Sequence, residues 1–135
     1  MQNKRKKVLV IDSEISFLEE QKRELSNKDL GEHLYSFDNI TEAFDFIETQ
    51  IIGKNNKLHY IILNEKVVGS QLSNSLEKIW GLNDFLKKPD IIVLTDEKNN
   101  TLIRNRIMQY PFVSVFLMKP VPSNYIEFLI TGQIA

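Results

Sequence analysis

The sequence predicts an α/β domain of three layers, a doubly wound, mostly parallel five-stranded sheet with helices on both faces. Three observations predict it. Five short apolar, β-rich runs recur along the chain, segments of helical period lie between them, and strand and helix alternate five times over. With 135 residues, 42% apolar and 26% charged, the chain suits one domain over residues 1–135. A domain of that size buries roughly two thirds of the surface its unfolded chain exposes.

The first run, Val8 to Ile11, follows the basic stretch Lys4, Arg5, Lys6 and Lys7, read as a solvated lead-in to the strand. The others are Leu34 to Phe37, Tyr60 to Leu63, Ile91 to Leu94 and Val113 to Met118. All but the second are nearly continuous in hydrophobicity, as strands covered on both faces are. In the first helical segment Ile15, Leu18 and Leu25 fall close to one face. Lys22 interrupts that stripe, its aliphatic stem covering apolar surface while its ammonium reaches water. A second helix starts from Asn39, which caps the first turn with Glu42 as a capping box, and buries Ala43, Phe44, Ile47 and Ile51. Further helices are expected over about Ser70 to Trp80, Asn99 to Met108 and Ser123 to Leu129. Pro89 and Pro111 stand before strands four and five, where a missing N–H costs little. Trp80, Phe85 and Tyr110 fall near helix ends or loops, and two of the three are expected to plug the core.

Bulk properties narrow the function. A net charge of −1 gives no pull toward nucleic acid, and the absence of cysteine removes disulfides, thiolate metal sites and cysteine nucleophiles. Nothing approaches the roughly 18 to 20 apolar residues of a membrane span, and the N-terminus lacks the apolar core of a signal peptide, so a cytoplasmic protein is expected. There is no G-x-G-x-x-G and no P-loop. His33 and His59 lie near strand starts, away from the end where sites form, so neither is read as a ligand or base.

In doubly wound sheets that end is the carboxyl edge of the strands. Asp12, Ser13 and Glu14 follow the first strand, Asn64 the third, Thr95 and Asp96 the fourth, and Lys119 and Pro120 the fifth. An Asp12–Lys119 ion pair is expected there, with the hydroxyl of Thr95 and the amide of Asn64 nearby. The stretches VLVIDSE (8–14), YIILNEKVVG (60–69), IIVLT (91–95) and FLMKP (116–120), in this order and each ending a strand, resemble the receiver domain of bacterial two-component response regulators. The resemblance covers nearly the whole chain and implies a flavodoxin-like fold.

It also implies a site. In that family an acidic pair after strand one binds Mg²⁺, an aspartate ending strand three accepts phosphate, and the residues matched by Thr95 and Lys119 contact the phosphorylated group. The aromatic matched by Phe116 takes part in the switch. Here the acceptor position is Asn64, an amide with neither the charge nor the nucleophilic oxygen to attack phosphorus. Ser13 replaces the second acid, so Asp12 alone, opposed by Lys119, is a poor Mg²⁺ site. Asp96 stands where the family has a small residue and repels phosphate. The loop after Asn64 lacks the family's proline, and Gly69 comes early. Asn64 reads as a satisfied amide bridging Lys119 and backbone groups, or alternatively as part of a pocket retuned for another ligand.

The expectation is a degenerate receiver, not an enzyme, with no cofactor or metal and no nucleic-acid or membrane contact. It would act through a protein partner, a second copy being one candidate. The family's contact face, made by the fourth helix, fifth strand and fifth helix, would draw on Arg104, Ile107, Phe116, Val121 and Tyr125. The competing expectation is a small-ligand or nucleotide-binding domain on the same scaffold.

Overall fold

The computed structural model describes residues 5–68, 72–96, 101–122 and 124–132. Its elements are β1 (Val8–Ile11), α1 (Ile15–Ser26), β2 (Leu34–Phe37), α2 (Ile40–Phe46), β3 (Tyr60–Asn64), α3 (Glu65–Val68), α4 (Leu72–Gly81), β4 (Asp90–Thr95), α5 (Thr101–Ile107), β5 (Val113–Met118) and α6 (Tyr125–Thr131). The strands form one five-stranded sheet in the order β2-β1-β3-β4-β5, every neighbouring pair parallel.

Strand periodicity explains the layering. Alternate side chains of a strand point to opposite faces. Leu9, Ile11, Ile61, Leu63, Ile91 and Val93 therefore pack on one side, against Phe44, Ile47, Leu76, Ile79 and Ile107 of the α2, α4 and α5 layer. Val8, Val10, Ile62, Ile92 and Leu94 pack on the other, against Leu18, Leu25, Ile126, Leu129 and Ile130 of α1 and α6. The central strands β1, β3 and β4 are covered on both faces, as their unbroken apolar runs require.

Several helical details follow from local chemistry. Asn39 caps α2, its side-chain oxygen accepting the Glu42 N–H at 2.8 Å. The helix then widens into a π-helical segment, Ile47–Ile52. Four residues nearly complete one turn of that wider winding, so Ile47 and Ile51 are both buried. The segment ends at Gly53, where a Cβ would lie 2.6 Å from the Thr49 carbonyl oxygen. Only glycine fits without a backbone shift.

Four expectations are corrected. The apolar run of β5 reads as buried on both faces, yet the strand is a sheet edge with Val115 36% and Met118 46% exposed. Ile15 is largely exposed at the first turn of α1, and the inward stripe is Leu18, Gln21 and Leu25, with Lys22 on the solvent side. Trp80 and Phe85 are exposed, and Tyr110 alone of the three aromatics packs on the core. Trp80, in the last turn of α4, instead stacks on Phe112 with ring centroids 4.9 Å apart. Finally, a single helical turn, α3, occupies what reads as loop after Asn64. The expected helix starts at Ser70, Asn99 and Ser123, together with Lys4 and Gly69, lie outside the described residues. Among the described residues no helix is long and apolar enough to cross a membrane.

Candidate functional site

The carboxyl edge of β1, β3, β4 and β5 gathers the polar residues that the topology brings there. Asp12 is the first residue past β1, held by its N–H to the Phe37 carbonyl at 3.0 Å and fully buried. Its Oδ1 accepts the Glu14 N–H at 2.9 Å, the short local bond by which aspartate turns a chain into a following helix. Its Oδ2 accepts from Lys119 Nζ at 2.7 Å and from Asn64 Nδ2 at 3.2 Å. The expected Asp12–Lys119 pair is thus present, and both oxygens of Asp12 are engaged.

Asn64 ends β3 with 1% exposure. Its Oδ1 accepts the Lys66 N–H at 2.9 Å, from the first turn of α3. The orientation of the amide is dictated by its partners, because a carboxylate only accepts and a backbone N–H only donates. Asn64 therefore bridges Asp12 and backbone, which corrects the expected bridge to Lys119. Two donors, an amide NH₂ and an ammonium, converge on the acceptor between them instead of on each other.

Lys119 is the hub. Besides Asp12, its ammonium contacts Glu14 Oε1 at 2.7 Å, lies 3.8 Å from Asp96 Oδ1 and sits 4.2 Å from the centroid of the Phe17 ring. Its N–H donates to the Thr95 carbonyl at 2.8 Å, and its bond to Pro120 is cis. Burial pulls its pKa down, but hydrogen bonds to Asp12 and Glu14 and the charges of Asp12 and Asp96 outweigh that and leave it raised. The lysine is a fixed cation and no proton carrier at neutral pH.

Asp96 has a cationic neighbour, Lys66 Nζ lying 3.4 Å from its Oδ2. Ser13 is exposed at the mouth. Thr95 is buried, its hydroxyl 3.5 Å from Glu65 Oε1. Glu65, Glu14 and Phe17 are the site residues that sequence reasoning passed over or gave no role. Glu65 reads as loop but is turned inward by α3 to 6% exposure, and an acid abutting the end of a buried strand was the signal. Glu14 and Phe17 lie three residues apart at the start of α1, the spacing that puts both on the face toward Lys119.

The donor set does not fit a divalent cation. Mg²⁺ needs near-octahedral oxygen ligands, whereas Asp12, Glu14 and Asp96 surround an ammonium and both Asp12 oxygens already accept hydrogen bonds.

Of the expected contact face, Arg104 is exposed, Phe116 is half-buried in register with Val93, and Val121 and Tyr125 are half-buried against the α1/α6 layer. Ile107 is a correction. It is fully buried in the core cluster on the α2, α4 and α5 side of the sheet. His33 and His59 sit at the opposite end, as expected, with His59 Nδ1 accepting the Lys7 N–H at 2.9 Å.

No family model matches the sequence, and no curated protein matches it. Solved structures do match. A response regulator from Burkholderia pseudomallei, solved with a phosphorylated aspartic acid, a calcium ion and citrate, aligns with TM-score 0.61 at 22% identity, over 93% of this chain and 66% of that one. The signal receiver domain of a Luxo repressor protein from Vibrio parahaemolyticus gives 0.65 at 23% identity, over 91% and 85%. A response regulator receiver domain from Clostridium thermocellum gives 0.67 at 20% identity, over 94% and 92%. The chain has the fold of response regulator receiver domains.

Proposed function

We propose that this chain is a phosphorylation-silent receiver-type module of two-component signalling, which acts by binding a protein partner and catalyses no reaction. One observation carries the reading. At the end of β3, where a receiver's phosphate acceptor stands, Asn64 presents an amide whose NH₂ bonds Asp12 and whose carbonyl bonds the backbone of Lys66. A neutral amide has neither the negative charge nor the nucleophilic oxygen needed to attack phosphorus. The ammonium of Lys119, fixed by Asp12 and Glu14, does for this pocket what a dissociable metal ion does elsewhere: it balances the acids, but permanently.

A pocket that cannot be switched by phosphate leaves the surface as the functional element. The face of α5, β5 and α6 supports this part of the reading, with Arg104, Val121 and Tyr125 joined by the exposed edge residues Val115 and Met118. Ile107 takes no part. The lack of cysteine suits a reducing, cytoplasmic setting.

The test is incubation of the purified chain with acetyl phosphate and Mg²⁺, read by intact mass. No phosphoryl adduct is expected. A stable adduct that is lost in Asn64→Ala overturns the proposal.

A further inference from the structure

Gln21 is a largely buried residue whose amide has no hydrogen-bond partner among the described residues. It lies on the inward stripe of α1 between Leu18 and Leu25 and is 7% exposed. Without such a partner, the amide is satisfied only by what enters the space it borders. Two cavities adjoin it. One of about 790 Å³ opens between α1 and the β5–α6 connection, and one of about 370 Å³ lies between α1 and the start of α6; Gln21 lines both. Both volumes fall in the range of small-molecule sites.

The charges around the two cavities select the ligand. In the larger, Lys66 and Lys119 are paired with Asp96, Glu14 and Asp12, while Glu20 has no cationic partner among the described residues. In the smaller, Lys28 pairs with Glu127, while Glu24 has no cationic partner among the described residues. Among the residues lining each cavity the carboxylates outnumber the cations by one, Glu14, Glu20 and Asp96 against Lys66 and Lys119, and Glu24 and Glu127 against Lys28, which disfavours phosphates and nucleotides. Glu20 and Glu24 are four residues apart on one helix, so their Cβ atoms are about 6 Å apart along the seam, with the Gln21 amide between the cavities they border. Two cationic nitrogens joined by a short aliphatic spacer match that spacing. The side-chain oxygen of Gln21 accepts from one of the ammonium groups, and Phe17 and Val121 line the wall for the methylenes.

We infer that the α1 seam is a binding site for a linear aliphatic polyamine, held by Glu20 and Glu24 and oriented by Gln21. The larger cavity adjoins the Asn64 pocket, sharing Ser13, Asp96 and Lys119 with its mouth, but Glu20, Gln21 and Glu24 take no part in the phosphorylation reading.

The test is isothermal titration of the full chain with spermidine at constant ionic strength, alongside NaCl and MgCl₂ titrations. Saturable binding of one spermidine is expected. Gln21→Leu, which keeps the shape and suits the apolar face, weakens it at least about tenfold, as loss of a hydrogen bond to a charged group should. Glu20→Gln and Glu24→Gln, both conservative surface changes, each weaken it about threefold. Absence of saturable binding, heats that MgCl₂ reproduces, or unchanged affinity in Gln21→Leu overturns the assignment. So does preference for a Lys- and Arg-rich peptide over spermidine, which would make the seam a protein contact.

Discussion

Changing Asn64→Asp restores the family's acceptor residue, and the geometry says what that costs. The hydrogen bond of 3.2 Å from the Asn64 amide to Asp12 Oδ2 becomes a contact between two carboxylates. At an effective dielectric of about 20, two like charges at that separation repel by about 5 kcal/mol. The Lys119 ammonium, 2.7 Å from the same Asp12 oxygen, is already shared with Glu14 and offsets only part of it. A net destabilisation of about 2–3 kcal/mol is expected at pH 8. The repulsion is relieved when one carboxyl takes up a proton, so the pair's pKa rises in the folded state. A raised carboxyl pKa contributes stability that is fully present below the unfolded value near about 3.9 and is lost as pH rises through the folded value. Urea unfolding of parent and variant at pH 5 and pH 8 should therefore show a deficit that grows with pH. Mg²⁺ should not rescue the single variant, and neither should acetyl phosphate modify it efficiently. Adding Ser13→Asp should make Mg²⁺ stabilising and phosphorylation measurable. A deficit below about 1 kcal/mol that is independent of pH, or efficient Mg²⁺-dependent phosphorylation of the single variant, would show that the pocket is not committed as described.

Two further expectations follow. Lys119→Met removes the hub and leaves Asp12, fully buried, beside Glu14 and Asp96; loss of one partner of such a pair should cost about 3 kcal/mol in chemical denaturation, nearly all from Asp12 because Glu14 is 56% exposed. At the other end of the sheet, burial and the charges of Lys7 and Arg5 lower the pKa of His33 against the pull of Glu32, and burial with Lys57, Lys6 and Lys7 lowers that of His59. Depressed histidines contribute stability present above the unfolded value near about 6.5 and lost as pH falls through the folded values. The melting temperature should drop from pH 7 toward pH 5, and the double variant His33→Gln, His59→Gln should flatten that slope; an unchanged slope refutes the assignment.

The strand ends were legible because strand and helix periods alternate cleanly, and that alone locates Asp12, Asn64, Thr95 and Lys119 at one edge. What misled was hydrophobicity read without neighbours. Val113 to Met118 is as apolar as an inner strand, but nothing in residue type says that the sheet ends there. Ile15 and Ile107 show the same limit in opposite directions. Each is apolar on an amphipathic helix, and the rotation of the helix on the sheet decides which one is covered. Glu65 and Gln21 stayed hidden because polar residues are expected outside. Their burial depends on a one-turn helix and on where α1 lies relative to α6, neither of which has a sequence period.

The register between β4 and β5 slips by one residue, Ile91 facing Val113 and Ile92 facing Val115, so Ser114 is an extra residue in the outermost strand, its hydroxyl bonded to Asp90 Oδ1 at 3.3 Å. Such a bulge sharpens the local twist of an edge and spoils its even spacing of backbone donors and acceptors. A foreign strand seeking to extend the sheet finds only Val115 to Met118 in regular repeat. The kink shortens the stretch of edge that strand addition could use, with Val115 and Met118 exposed along what remains.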